Sequence, residues 1–169
     1  MYTLRCVPES ELDDGYRGLV GEWLAAAHPT LAGHFRGSGW WRLPPLFRCV
    51  LEAGGVVAGQ VSAFELDSSS PLRLFGLGDA ILRPEHRGRG LFREMLSAAV
   101  NECWRREAEV ILTSTKRHSP TILSLGFAPP HPFQFYYEQD SACFWRPTWL
   151  VLFRGGGLRE RVRLSEGLF

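Results

Sequence analysis

The chain has 169 residues, 45% hydrophobic and 22% charged, the size and balance of a single globular domain spanning residues 1–169. Nineteen lysines and arginines face eighteen aspartates and glutamates, and a net charge of +1 argues against a dedicated nucleic-acid binder. No apolar run reaches the roughly 20 residues of a membrane helix, and Met1-Tyr2-Thr3-Leu4-Arg5-Cys6 lacks a signal-peptide core, so the expected location is cytoplasmic.

Residues 3–7 alternate as a short strand. Glu9 to Ala27 reads as a helix capped by Ser10, with Leu19, Val20, Trp23, Leu24 and Ala27 as its apolar stripe. His28-Pro29 ends it. Residues 30–45 form a loop or broken helix, rich in glycine and tryptophan. Phe47–Glu52 and Val56–Leu66 predict a hairpin around Ala53-Gly54-Gly55. Leu72–Leu82 is the longest apolar strand, broken by Pro84-Glu85-His86. Leu91–Glu107 repeats apolar pairs every four residues and predicts an amphipathic helix. Val110–Ser114 follows as a buried strand, and Ser119–Leu125 as a short helix stopped by Gly126. Two strands are predicted near 133–138 and 148–153, then a Gly- and Arg-rich tail over the surface. Strands with interposed helices make an α/β or α+β domain around one mixed sheet.

Cys6, Cys49, Cys103 and Cys143 are scattered without a Cys-x-x-Cys pair, and are expected to be reduced, packed thiols. His28, His34, His86, His118 and His131 lack metal-ligand spacing, so no metal is expected. Eighteen of the nineteen cations are arginine, a skew that codon bias explains better than eighteen separate functions. In the tail, Arg154, Arg159, Arg161 and Arg163 are interrupted by Glu160 and Glu166, which disfavours a nucleic-acid surface.

The informative segment is Leu82-Arg83-Pro84-Glu85-His86-Arg87-Gly88-Arg89-Gly90-Leu91-Phe92, a strand, a glycine turn and a helix start. First-turn amides lack partners and lie at the positive end of the helix dipole, so such a terminus binds phosphate. Two glycines alone fit a plain tight turn equally well. The turn is not a P-loop, and it lacks the third glycine of a dinucleotide fingerprint.

Arg87-Gly88-Arg89-Gly90 resembles the Arg/Gln-x-x-Gly-x-Gly/Ala signature of the GNAT N-acetyltransferase superfamily, with Phe92 in place of the final small residue. Ser124-Leu125-Gly126-Phe127 resembles that family's Leu-Gly-Phe. In layout the chain is more distantly similar to aminoglycoside 2′-N-acetyltransferases and nodulation N-acyltransferases. The resemblance implies a central mixed, mostly antiparallel sheet of six or seven strands with about four helices. It implies an N-acyltransferase that moves an acetyl group from acetyl-CoA to a primary amine of a small molecule, or a non-catalytic acyl-CoA-binding domain. No nucleic acid or membrane partner is expected; a homodimer is compatible with this reading.

The resemblance also implies roles for residues. Backbone groups of Ile81, Leu82 and Arg83 would hold the pantetheine arm. The amides of Arg87, Gly88, Arg89, Gly90, Leu91 and Phe92 would hold the pyrophosphate. Asp79, the only carboxylate within its strand, would be the general base, unless it is simply a bulge aspartate paired with an arginine. The family's usual acid, a tyrosine, falls on Ile122. Ser114, Ser119, Ser124, His118, Tyr136 or Tyr137 would have to replace it, or water. Trp23, Trp40, Trp41, Phe133, Phe135 and Tyr136 form either an acceptor pocket or core packing.

Overall fold

The computed structural model describes all residues except 41–42, 116–118, 133, 140–141, 145–147, 156–160 and 166–169. Its strands are β1 (Tyr2–Pro8), β2 (Phe47–Ala53), β3 (Val56–Leu66), β4 (Leu74–Leu82), β5 (Val110–Ser114), β6 (Phe135–Gln139), β7 (Ala142–Phe144), β8 (Trp149–Phe153) and β9 (Val162–Arg163). Its helices are α1 (Asp14–Ala27), α2 (Ala32–Phe35), α3 (Leu91–Arg105) and α4 (Pro120–Leu123). Six strands form a mixed sheet in the order β1-β2-β3-β4-β5-β8, and three more pair as β7-β6-β9. The expected mixed sheet and its helices are therefore present. The short second sheet was not anticipated. One of its strands lies in the tail, where Val162 and Leu164 are buried.

The chain divides into two compact units. The first comprises Met1–Phe64 and Gly78–Ala99. Here β1 and β2 pair antiparallel from Tyr2↔Ala53 to Pro8↔Phe47, and β2 and β3 form the predicted hairpin. Side chains alternate across these strands, so Arg48, Gln60 and Ser62 share one face while Cys49 and Val61 share the other. On the first face lie Tyr16 of α1 and the turn at Gly39, both bonded to Arg48 or Gln60. On the second face Met95 of α3 packs close to Gly59.

Two expectations need correction in this unit. Ser10 does not cap α1: it lies in a 3-10 turn, Glu9–Glu11, and the cap is Asp13, whose carboxylate accepts from the Tyr16 amide at 2.7 Å. Asp13 directly precedes the first helical residue, Asp14, so its carboxylate reaches the free first-turn amide of Tyr16. Nor are Cys6 and Cys49 reduced thiols: they form a disulfide. The physical reason is register. Cys6 and Cys49 stand directly opposite each other in β1 and β2, although 43 residues separate them in sequence. Cys103 is a free, buried thiol, and burial pushes its pKa up to about 12.

The second unit comprises Glu65–Leu77 and Val100–Phe169. Leu74–Leu77 of β4 pairs parallel with Val110–Thr113 of β5, and β5 pairs antiparallel with β8. Thr113 Oγ1 donates to the Leu77 carbonyl at 3.0 Å. Gly126 takes φ +92 after α4, the predicted stop. Among the described residues, no helix is long and apolar enough to cross a membrane.

At the end of α3, Glu102 receives the guanidinium groups of Arg105 and Arg106 at 2.7–2.8 Å. Burial raises the pKa of its carboxyl, but these hydrogen bonds together outweigh burial and hold it below the usual range. A lowered folded-state pKa contributes stability that is present at neutral pH and is lost as pH falls through that pKa. Glu102→Gln is therefore expected to cost about 1–3 kcal/mol at pH 7. Denaturant melts should show this cost shrinking as the pH is lowered into the acid range, and a pH-independent difference would refute the assignment.

Candidate active site

β4 does not run straight into the glycine turn. Asp79 takes φ +46, one of two non-glycine residues with positive φ among those described. This left-handed geometry is tolerated by Asp and Asn better than by most residues. It turns the strand just ahead of Ile81, Leu82 and Arg83. A 3-10 turn, Pro84–His86, follows, and then Gly88 at φ +74 and Gly90 at φ +77. Both glycines adopt the backbone that other residues avoid, and a Cβ at either would meet open space. The sequence requirement here is conformational, since no neighbouring atom excludes a side chain.

The Gly90 carbonyl accepts from the Arg93 amide at 3.0 Å and the Glu94 amide at 3.2 Å, which starts α3. Leu91 and Phe92 then have no acceptor within the helix. The Arg87 amide, by contrast, donates to the Pro84 carbonyl at 3.1 Å. The donor run available to an anion is therefore Gly88 to Phe92, one residue shorter than expected. The arginine side chains are also committed. Arg87 Nε donates to the Leu82 carbonyl at 3.0 Å, and Arg89 Nη1 donates to the Tyr2 hydroxyl at 2.9 Å. They brace the turn while adding positive charge near it.

The expected pantetheine contacts divide likewise. The Arg83 amide donates to the Ala58 carbonyl at 2.9 Å, so it faces β3 and is occupied. The Ile81 carbonyl also faces β3, since a Cβ on Gly59 would lie 2.8 Å from it. The Leu82 carbonyl is taken by Arg87. Alternation along the strand leaves the Leu82 amide facing away from β3. The Arg83 side chain lies over the Trp23 ring at 5.5 Å and pairs with Glu85.

Sequence reasoning missed a buried polar cluster behind Asp79. Arg48 is completely buried in β2. Its Nε and Nη2 grip both oxygens of Glu9 at 2.6 and 3.2 Å, and its Nη1 donates to the Gly39 carbonyl at 3.1 Å and to Gln60 Oε1 at 3.3 Å. Its guanidinium lies 5.6 Å from the Tyr16 ring centroid and 5.9 Å from that of Trp40. Gln60, also fully buried, donates from Nε2 to the Asp79 carbonyl at 2.5 Å. Burial pushes the Tyr16 phenol well above its ordinary pKa, against the pull of Arg48, so it remains a neutral O–H donor to Gln60 Oε1 at 3.3 Å. The available signal was a charged residue inside the apolar strand Phe47–Leu51.

The remaining expected residues have the following surroundings. Ser114, in the second unit, shares a hydrogen bond with Thr148 Oγ1 at 3.1 Å. Ile122 is buried. Phe135 is core, and Tyr136 carries the Arg161 guanidinium 4.7 Å from its ring centroid. Trp41, Phe133, His118, Arg159, Glu160 and Glu166 lie outside the described residues.

The six-stranded mixed sheet has a fourth strand that carries a left-handed residue and leads through a glycine turn into α3. The acetyltransferase (GNAT) family model matches residues 12–127, and the chain belongs to that family. Among solved structures, the chain is similar to the GNAT family N-acetyltransferase YhbS from Escherichia coli in complex with CoA. The two share 16% identity over 98% of this chain and 90% of that one, with a TM-score of 0.66. A GNAT family acetyltransferase from Brucella melitensis, in complex with acetyl-CoA, shares 13% identity over 94% and 93%, with a TM-score of 0.60. An aminoglycoside acetyltransferase from an uncultured soil metagenomic sample shares 15% over 74% and 88%, with a TM-score of 0.55. At such identities the likeness is one of fold. No curated protein is similar enough in sequence to match.

Proposed function

We propose that the protein transfers an acetyl group from acetyl-CoA to a primary amine of a small molecule. The observation that carries this is the Gly88–Phe92 turn, with two glycines at positive φ beside open space and unpartnered amides at a helix start. The family's structures with CoA and acetyl-CoA support the choice of ligand. The amides of Gly88 to Phe92 would receive the pyrophosphate, and the outward Leu82 amide would receive a carbonyl of the pantetheine arm.

The reaction joins the amine nitrogen to the thioester carbonyl carbon and breaks the carbon–sulfur bond. Asp79 accepts the proton the amine must lose, directly or through one water. With Ile122 buried and apolar where the family's acid would stand, the departing thiolate takes its proton from water. A thiolate leaves without strong acid assistance, so this does not prevent turnover.

Thiol release measured across a panel of primary amines tests the reading. Amine-dependent release is expected. Acetyl-CoA binding without release on any amine would instead mark a non-catalytic CoA-binding domain. Asp79→Asn keeps a side chain that tolerates the left-handed backbone and removes the base. It is expected to lower kcat by about 100- to 10,000-fold at neutral pH, with acetyl-CoA affinity little changed. Full activity across the pH range would remove Asp79 from the mechanism.

A further inference from the structure

We propose that Gln60 is the positioning residue of this site: its buried side-chain amide fixes the left-handed turn of β4 from which Asp79 is presented. The inference rests on the reading of Asp79 as the base. A residue at φ +46 rotates its peptide groups out of the ladder, and its carbonyl needs another donor. Gln60 Nε2 supplies one at 2.5 Å.

The orientation of that amide is determined by its surroundings. Gln60 Oε1 accepts from Tyr16 Oη at 3.3 Å, Arg48 Nη1 at 3.3 Å and Ser62 Oγ at 3.4 Å. Rotating the amide by half a turn would set its NH₂ against the Arg48 guanidinium and its oxygen against the Asp79 carbonyl. Neither contact is a hydrogen bond, so only one orientation satisfies the cluster. Arg48 is fixed in turn by the bidentate Glu9 carboxylate, which also accepts from Arg17 Nε at 2.9 Å. The chain of contacts runs from the segment after β1, through β2 and β3, to the base-bearing turn of β4. It also reaches α1 through Tyr16 and the Gly39 turn through Arg48. A cluster this deeply buried and this fully bonded is rigid, as a base-positioning support must be.

Gln60→Glu tests the proposal, because its ionised form preserves shape and the acceptor oxygen while removing the donor to Asp79. Gln60→Met is a second, uncharged variant, and Tyr16→Phe removes one support without touching the Asp79 contact. For both Gln60 variants we expect kcat to fall about 10- to 100-fold, the effect of leaving one buried acceptor unsatisfied, with KM for acetyl-CoA within about threefold. Tyr16→Phe should move kcat in the same direction by less. Amide hydrogen exchange of residues 78–81 should quicken in the Gln60 variants whether or not substrate is present. Unchanged kcat and unchanged exchange in both folded variants would overturn the proposal. So would a loss confined to KM. If wild type neither binds nor turns over acetyl-CoA, the functional reading fails, and the exchange measurement still decides whether Gln60 clamps the turn. If a Gln60 variant does not fold, Tyr16→Phe carries the same decision: unchanged kcat and exchange there would overturn the coupling.

Discussion

Gly90→Glu is expected to weaken acetyl-CoA binding at least 100-fold in a calorimetric titration, to the point where no heat of binding is seen. Two effects add. A side chain at φ +77 costs about 1–2 kcal/mol in the left-handed region, which distorts the turn that aims the amides. The added carboxylate then sits at the positive end of α3 and competes for the amides proposed to hold phosphate. Because a Cβ at Gly90 meets nothing within 4 Å, the fold itself is expected to survive, and a circular dichroism melt checks this. Gly90→Ala, strained but uncharged, should weaken binding by less. A folded glutamate variant that binds as tightly as wild type would show that the phosphates lie elsewhere.

Reducing the Cys6–Cys49 bond is expected to lower stability by about 4 kcal/mol, because the bond closes a loop between residues 43 apart. For a chain of this size that is a fall in Tm of roughly 8–16 °C. The measurement is a pair of thermal melts with and without a reductant, repeated on Cys6→Ser. Alkylation before and after reduction, read by mass spectrometry, reports which cysteines are paired. If Cys6 and Cys49 are alkylated in the unreduced native protein, or if Tm ignores the reductant while the bond is present, the expectation fails. Cys103 is unsuited to reporting on this, since its buried thiol is held in the protonated state at neutral pH.

What could be read from the residues alone was local chemistry. The turn at Gly88 and Gly90 follows from two glycines at backbone angles that other residues avoid, and helix α3 follows from a four-residue apolar step. Asp79 stood out as a lone carboxylate in an apolar strand, although its positive φ did not. The less visible features depend on distance in sequence. The disulfide arises from the register of β1 on β2, which no spacing announces. Arg48 and Gln60 are buried because elements cover both faces of their strands, and a sequence does not say which polar residues a covered face will accept. The commitment of the Arg87 amide and the Leu82 carbonyl belongs to the same group, since it is decided by the turn's own hydrogen bonds. Strand β9 is only two residues long and pairs with a strand whose partner is remote, so it leaves no periodic trace.

The two-faced dress of β2 and β3 has a consequence for how the chain finds its native pairing. Slipping β2 by one residue would send Arg48 to the side lined by Met95 and would carry Cys49 away from Cys6. It would also leave the Glu9 carboxylate with Arg17 as its one remaining cation. Misaligned intermediates are thus penalised twice over, by a buried charge and by a bond that cannot form. Proofreading of strand alignment is written into the same two neighbouring side chains, Arg48 and Cys49, one serving each face of the sheet.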